Sequence, residues 1–380
     1  MRPIISDHSA ATPFFLFHEQ AIEEATTSFR ASFPLSAPKL YYSLKANSIA
    51  AVIQCMSRLV DGFSVSSLFE AKLAREIAPT MPIHYVSPCI RMDEIEELRE
   101  LCNKICCNSA QHLELMATTN PIPRNLGLRI DPAISFVSDS RYDPCSAHSK
   151  LGVHLTDSAW LRNVATSHLD GVCFHNNSES ECFDDLLETL TRITKAWPWV
   201  SHPLRWINLG GGYLPNATGA AQLDSYLLAL KNNYNIEEII LEPGFGLINS
   251  AGSLTATVTD VFSKNGKTIA ILDTTINHLP EVLEFEMRPT LDPKYEGDFS
   301  CLLAGSSCLA GDLFGEYGLA NRPKIGDRIT FLRVGAYSVS KANAFNGINL
   351  PDIYVINAGG SCHHCPKVGF DDYKKVWGRA

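Results

Sequence analysis

Trp206-Ile207-Asn208-Leu209-Gly210-Gly211-Gly212 and Ile239-Ile240-Leu241-Glu242-Pro243-Gly244 are two short apolar runs that each stop abruptly at small residues. Branched and aromatic side chains closed off by glycine or proline read as strands that end there. Working back toward the N-terminus, six further runs of this kind are predicted at Lys39 to Leu44, Gly62 to Ser66, Ile83 to Ser87, Lys104 to Asn108, Asn125 to Ile130 and Gly171 to Phe174. The stretches Ser67 to Ile77, Met92 to Cys102 and Asp184 to Ala196 repeat apolar residues every three or four positions, as helices with one buried face do. This alternation, from about Ala21 to Gly244, predicts a parallel sheet with crossover helices. A count of eight strands is the number that closes a (β/α)8 TIM barrel.

After Gly244 the texture changes. Ser253 to Phe262, Thr268 to Leu272, Arg328 to Val334 and Asp352 to Ile356 read as strands with little helix between them, interrupted at Lys264 to Lys267. The 380 residues therefore divide into a barrel domain over residues 20–245 and a β-rich sandwich or barrel domain over residues 246–380, joined by residues 1–19.

Composition narrows the function classes. Hydrophobic residues at 45% and charged residues at 19% fit a globular protein. With 32 basic against 41 acidic residues the net charge is −9, which disfavours a nucleic-acid partner. No apolar run approaches the ~20 residues of a membrane span, and Met1 to Thr12 carries Asp7 and His8 in place of a basic then apolar leader, so a cytoplasmic protein without membrane contact is expected. The twelve cysteines are scattered, several within apolar segments, and read as free thiols rather than a disulfide framework. Cys362-His363-His364-Cys365 looks like half of a zinc site, but no second Cys/His pair stands nearby and no metal is expected.

Barrel chemistry gathers where strands end. Tyr42-Ser43-Leu44-Lys45-Ala46-Asn47 puts a lysine at the end of the first strand, where a partly desolvated amine becomes a nucleophile able to form a Schiff base with an aldehyde cofactor. Gly210, Gly211 and Gly212 follow the seventh strand and leave backbone amides open to a phosphate. Glu242 ends the eighth, where a carboxylate facing a pyridine nitrogen would keep that nitrogen protonated. His175 follows the sixth strand and offers a ring to stack. Each has an ordinary alternative: a solvent-facing lysine, a glycine turn, a capping glutamate, a hydrogen-bonded core histidine. In the second domain, Gly305 to Asp312 is a small-residue loop presenting Cys308 and Asp312. Gly335-Ala336-Tyr337 offers a hydroxyl for a phosphate oxygen, and Asp273 with His278 offers contacts for a polar substrate tail.

Taken in order, these segments resemble the fold-type III pyridoxal-phosphate decarboxylases, the ornithine, diaminopimelate and carboxynorspermidine decarboxylase family, whose barrel is of the alanine racemase type. The resemblance starts at Thr12-Pro13-Phe14-Phe15-Leu16 and covers nearly the whole chain. Its carboxynorspermidine branch is matched by Cys308-Leu309-Ala310-Gly311-Asp312-Leu313-Phe314-Gly315-Glu316-Tyr317, by Ile271-Leu272-Asp273 followed by His278-Leu279-Pro280, and by Phe345-Asn346-Gly347-Ile348-Asn349-Leu350-Pro351. The resemblance implies pyridoxal 5'-phosphate held covalently by Lys45, with Glu242 on the pyridine nitrogen and His175 on the ring face. Gly210, Gly211, Gly212 and Tyr337 would take the phosphate, while Glu70 and Arg129 would lie near the ring hydroxyl and the imine. Cys308 and Asp312 would reach a neighbouring subunit's site, which implies a head-to-tail homodimer with shared active sites.

Two departures mark this chain. Carboxynorspermidine enzymes carry a His-x-Leu-Cys-Glu pattern where His175-Asn176-Asn177-Ser178-Glu179 stands, and Ser178 falls where ornithine-type enzymes place a phosphate-binding serine. Those enzymes also follow Glu-Pro-Gly with an arginine, and here the residue is Phe245. The resemblance implies decarboxylation of a basic amino acid, foremost carboxynorspermidine or carboxyspermidine to norspermidine or spermidine, with Cys308 or Lys45 returning a proton and Asp273, His278 and Asp312 on the substrate side. Alternatives are a decarboxylase of diaminopimelate, ornithine, lysine or a specialised-pathway intermediate. A racemase is disfavoured because racemases of this fold set arginine, not a carboxylate, at the pyridine nitrogen. An inactive regulator is disfavoured by the intact residue set.

Overall fold

The computed structural model describes residues 10–119, 125–137, 139, 141–155, 169–197, 203–365 and 368–378. Asp7 and His8, on which the N-terminal reading rested, lie outside them. Two compact units emerge, Glu23–Leu247 and the combination of Met1–Ile22 with Ile248–Ala380.

The first unit is the barrel. Strands Lys39–Ser43, Gly62–Val65, Ile83–Val86, Lys104–Cys107, Leu126–Asp131, Gly171–Cys173, Trp206–Asn208 and Glu238–Leu241 pair in parallel, each with the next in the chain. The eighth returns to the first, with Ile240 opposite Lys39 and Leu241 opposite Leu40, so the ring is closed. Gly62–Val65 and Lys104–Cys107 are buried at every position, as strands covered on both faces must be.

One indole fills much of the ring's interior. Trp206 packs with Tyr41 and Ile240, and a β-carbon at Gly127 or Gly171, on the two preceding barrel strands, would land inside its rings. Large against small across facing positions is how a barrel core closes without voids. Deeper polar groups are paired: Lys104 Nζ sits 2.6 Å from Glu238 Oε2, and Tyr41 donates its hydroxyl to Glu238 Oε1 at 3.2 Å.

The predicted helices form at Leu68–Ile77 and Asp184–Ala196, and Met92 to Cys102 becomes a short 3₁₀ turn followed by Ile95–Leu101. Asp184–Ala196 buries Leu186, Leu190 and Ile193 on one face.

The second unit is a mixed sheet. Its order is Leu313–Leu319, Glu296–Ala304, Lys267–Leu272, Gly252–Lys264, Phe14–His18, Asp352–Ile356 and Cys362–Cys365, with Arg328–Leu332 also on Gly252–Lys264. The interruption predicted at Lys264 to Lys267 is a two-residue hairpin turn in which Asn265 and Gly266 both take positive φ, the signature of an Asn-Gly turn. Several of these strands escaped the sequence reading, among them Phe14–His18, Cys362–Cys365, Glu296–Ala304 and Leu313–Leu319. Glu296–Ala304 opens with an exposed Glu-Gly-Asp, and Leu313–Leu319 holds two glycines, so neither shows the apolar density of a strand until they pair with each other.

All twelve cysteines are unpaired. Cys362–Cys365 is a strand, so Cys362 and His364 face away from His363 and Cys365, and His364 stacks on Tyr354 at 4.4 Å. Among the described residues, no helix is long and apolar enough to cross a membrane.

Candidate active site at the barrel mouth

The first strand runs straight into a 3₁₀ turn, Leu44–Ala46. Leu44 and Ala46 are buried while Lys45 between them is open to solvent. The turn is pinned below, since Tyr42 donates its hydroxyl to the Asn47 carbonyl at 3.0 Å and Asn47 Oδ1 accepts the Ile49 amide at 3.0 Å. Although water reaches it, the Lys45 amine is walled by protein. That desolvation pulls its pKa below the usual lysine value, with Glu242 and Glu70 pulling it back and Arg129 lowering it further. A lysine so placed releases its proton more readily than one in water.

Glu242 follows the eighth strand. Its Oε1 accepts from Asn208 Nδ2 at 2.6 Å and lies 3.2 Å from His84 Nδ1. Burial alone would push this carboxyl up, but hydrogen bonds from His84, Asn208 and Ser64 outweigh it and hold the group below the usual carboxylate value. An ionised carboxylate in a water-poor site is what a cationic ring nitrogen requires.

The glycine loop is built around these groups. Gly210 donates its amide to Asn208 Oδ1 at 2.8 Å, and Gly211 donates to His175 Nδ1 at 3.3 Å. A β-carbon at Gly211 would strike the Glu242 carbonyl, and Gly212, at φ +95, lies against the Asn177 carbonyl and the Ser178 amide. The close packing therefore requires glycine. Because His175 Nδ1 accepts an N–H, the ring is neutral, in keeping with a pKa lowered to about 3 by burial and by the charges of Lys45 and Arg129.

Glu70 has a second duty. Ser67 caps the helix Leu68–Ile77 by accepting the Glu70 amide at 3.2 Å, while Glu70 Oε2 accepts the Ser66 amide at 2.6 Å, a near relative of the capping box. Burial raises the Glu70 carboxyl. Arg129, half-buried on the fifth strand, acts electrostatically on both Lys45 and His175.

The segment after His175 is structural. Asn176 donates to Thr189 Oγ1 at 2.8 Å and to the Ile134 carbonyl at 3.0 Å. Asn177 donates to Asp185 Oδ2 at 2.8 Å. These bonds tie the loop to helix Asp184–Ala196 and leave Ser178 exposed beside Gly212. Phe245, in the place of the absent arginine, opens the short helix Phe245–Ile248.

The barrel thus brings together Lys45, Glu70, Arg129, His175, Ser178, Gly210, Gly211, Gly212 and Glu242. The other expected residues lie in the second unit. Tyr337 holds a left-handed conformation at φ +60, rare for an aromatic residue. Cys308 is exposed, and its amide donates to Asn346 Oδ1 at 2.9 Å. Asp312 is buried and accepts the Ile276 and Ser307 amides, each at 2.9 Å. His278, buried beside it, faces Thr274 Oγ1 at 2.9 Å, and burial lowers its pKa to about 4. Asp273 accepts the Thr257 amide at 2.7 Å and the Thr12 hydroxyl at 2.5 Å.

Sequence reasoning missed Ser64, His84 and Asn208. The available signal was polarity inside otherwise apolar strands: His84 in Ile83–Val86 and Asn208, two residues beyond the inward-facing Trp206, alternate onto the barrel's interior face.

Residues 19–248 match the family described as pyridoxal-dependent decarboxylase, pyridoxal binding domain. The carboxynorspermidine/carboxyspermidine decarboxylase of Herminiimonas arsenicoxydans is 30% identical over 368 residues, 96% of this chain and 98% of that protein. The carboxyaminopropylagmatine decarboxylase of a Synechocystis species is 29% identical over 97% of this chain and 96% of its own length. The crystal structure of Campylobacter jejuni carboxynorspermidine decarboxylase complexed with norspermidine superposes with a TM-score of 0.86 at 26% identity, covering 97% of this chain and all of that one. The barrel mouth, the near-complete coverage and the family match have one common meaning: this chain belongs to the pyridoxal-dependent decarboxylases.

Proposed function

We propose that this chain is a pyridoxal phosphate-dependent carboxy-lyase that converts carboxynorspermidine or carboxyspermidine to norspermidine or spermidine. The observation that carries the reading is the shared cup: an amine with a lowered pKa at Lys45 and, acting on it through charge, an ionised carboxylate at Glu242. The near-full-length likeness to relatives named for this substrate pair supports the choice of substrate.

The residues present fit the coenzyme. When bound, it supplies an aldehyde that captures an amine and a ring that accepts the electron pair left behind as carbon dioxide departs. Lys45 would hold the aldehyde carbon, and its depressed pKa favours the neutral amine that this needs. Glu242 would keep a proton on the ring nitrogen. Neutral His175 offers a flat face without adding positive charge. The Gly212 backbone, with Ser178 exposed beside it, suits a phosphate, and Tyr337 is assigned to that phosphate by family likeness. Glu70 and Arg129 set the charge around the amine.

On the substrate side, Cys308 or Lys45 returns the proton to the carbon that loses carboxylate. Asp312, His278 and Asp273 are assigned to the polyamine tail, with Asp312 also holding the loop that presents Cys308. A homodimer with shared sites follows from the family likeness of Cys308 and Asp312, and twelve unpaired thiols support a reducing, cytoplasmic setting.

The test is direct. Protein loaded with pyridoxal phosphate is offered carboxynorspermidine, carboxyspermidine, carboxyaminopropylagmatine and meso-diaminopimelate, and the product amine is identified by mass spectrometry. Norspermidine or spermidine as the preferred product supports the assignment; turnover of only one of the other two replaces the substrate, and turnover of none overturns the reading.

A further inference from the structure

The buried corner around Glu242 holds more polar chemistry than the family assignment uses. His84 has no exposed surface, and its ring stands edge-on to Trp206, 5.1 Å between centroids. Its Nδ1 is 3.2 Å from Glu242 Oε1 and 2.8 Å from Asn208 Nδ2, while Asn208 Nδ2 donates to the same Oε1 at 2.6 Å. The three atoms form a compact triangle. Asn208 is unable to turn its oxygen into it, because that oxygen accepts the Gly210 amide at 2.8 Å. Its nitrogen is therefore a donor there, and Oε1 is the acceptor that both nitrogens face.

The proton on the imidazole follows from what each ring nitrogen meets. Nδ1 faces the Glu242 carboxylate and the Asn208 amide nitrogen, and accepting from that amide would put the ring proton on Nε2, which is buried and has no hydrogen-bond partner among the described residues. An unmatched buried lone pair is tolerated better than an unmatched buried N–H, and a bond to an ionised oxygen is the stronger kind. The proton belongs on Nδ1.

We propose that His84 is a positioning residue for Glu242: its Nδ1–H and the Asn208 amide together grip Oε1, fixing the plane of the carboxylate and keeping it ionised. The consequence for a ring nitrogen rests on the function proposed above; the grip on the carboxylate does not. Glu242 also acts through charge on Lys45, His175 and Tyr41, so a variant at position 84 is compared with the rest of the site intact.

Two variants separate a role at Nδ1 from simple filling of space. The amide nitrogen of asparagine reaches about where Nδ1 stands, and that of glutamine about where Nε2 stands. The full chain, stripped of coenzyme and carrying ¹³C at its glutamate carboxyl carbons, is titrated by NMR, with the Glu242 signal identified by its loss in Glu242→Gln. His84→Gln is expected to raise the Glu242 midpoint by about one pH unit, and His84→Asn to return it to the wild-type value. In parallel, His84→Gln should weaken pyridoxal phosphate binding about tenfold relative to His84→Asn. An unchanged midpoint in His84→Gln, or equal midpoints in the two variants, overturns the proposal. Failure of the wild-type chain to bind pyridoxal phosphate would instead sink the coenzyme reading, and the NMR comparison would still decide the role of His84.

Discussion

Asn208 donates to Glu242 across 2.6 Å, from the seventh barrel strand to the residue that follows the eighth, and its own oxygen is tied to the Gly210 amide. One side chain thus couples the carboxylate to the glycine loop.

Replacing Asn208 by alanine removes a donor to a buried carboxylate and frees the loop at Gly210. Turnover should fall by roughly 10²-fold. The Glu242 contribution to stability has a defined sign: its folded pKa is depressed, so the contribution is present above the ordinary carboxylate range and lost as pH falls through the folded value. In Asn208→Ala the contribution is smaller and its loss is complete at a higher pH, which denaturant midpoints measured from neutral pH downward would reveal.

Lys45→Ala should abolish the visible absorption of a lysine Schiff base and cut turnover by roughly 10³-fold or more. Retention of that band in the variant would remove Lys45 from its assigned role.

The pH at which the amine becomes reactive should move with its neighbours. Glu242 and Glu70 raise the Lys45 pKa and Arg129 lowers it. The rate at which coenzyme-free protein forms a Schiff base should therefore rise with pH through an inflection below the ordinary lysine value. Glu70→Gln shifts that inflection down and Arg129→Met shifts it up. Stopped-flow absorbance across a pH series reads both.

His175 and His278 are held neutral in the fold, with pKa values near 3 and 4. Both lie below the unfolded histidine value of ~6.5, so the unfolded chain binds protons that the folded chain refuses. Stability should fall progressively as pH drops below that value. A double variant, His175→Asn with His278→Asn, should show a flatter acid limb in urea titrations; an identical limb would contradict the assignment.

The barrel interior gives a test of packing alone. Gly171→Ala places a methyl inside the Trp206 indole and should cost about 1–3 kcal/mol. Combined with Trp206→Leu, which vacates that space, the same change should cost less than it does alone, as a double-mutant cycle in denaturant would show.

Much of the barrel was legible before any coordinates. A parallel strand covered on both faces is apolar throughout, so Gly62–Val65 and Lys104–Cys107 announce themselves locally, and eight such runs with helices between them imply closure. Lys45, the glycine triplet and Glu242 were found because each stands directly after such a run. The hairpin at Asn265-Gly266 was readable for the same local reason. Glu296–Ala304 and Leu313–Leu319 were not, because their strand character comes from pairing with each other and not from composition.

The amino-acid order alone determined the eightfold repeat, the change of texture after Gly244 and which chemical groups stand at strand ends, since these depend on neighbours a few residues apart. Only the tertiary structure decided that His84, Asn208 and Glu242 share one oxygen, although 124 residues separate the first two and 34 the last two. It also decided that Gly127 and Gly171 exist to admit Trp206. Closure of the ring is the physical reason: it brings distant strand residues face to face in a space too small for water, where hydrogen bonding and volume, rather than local propensity, determine what each residue does.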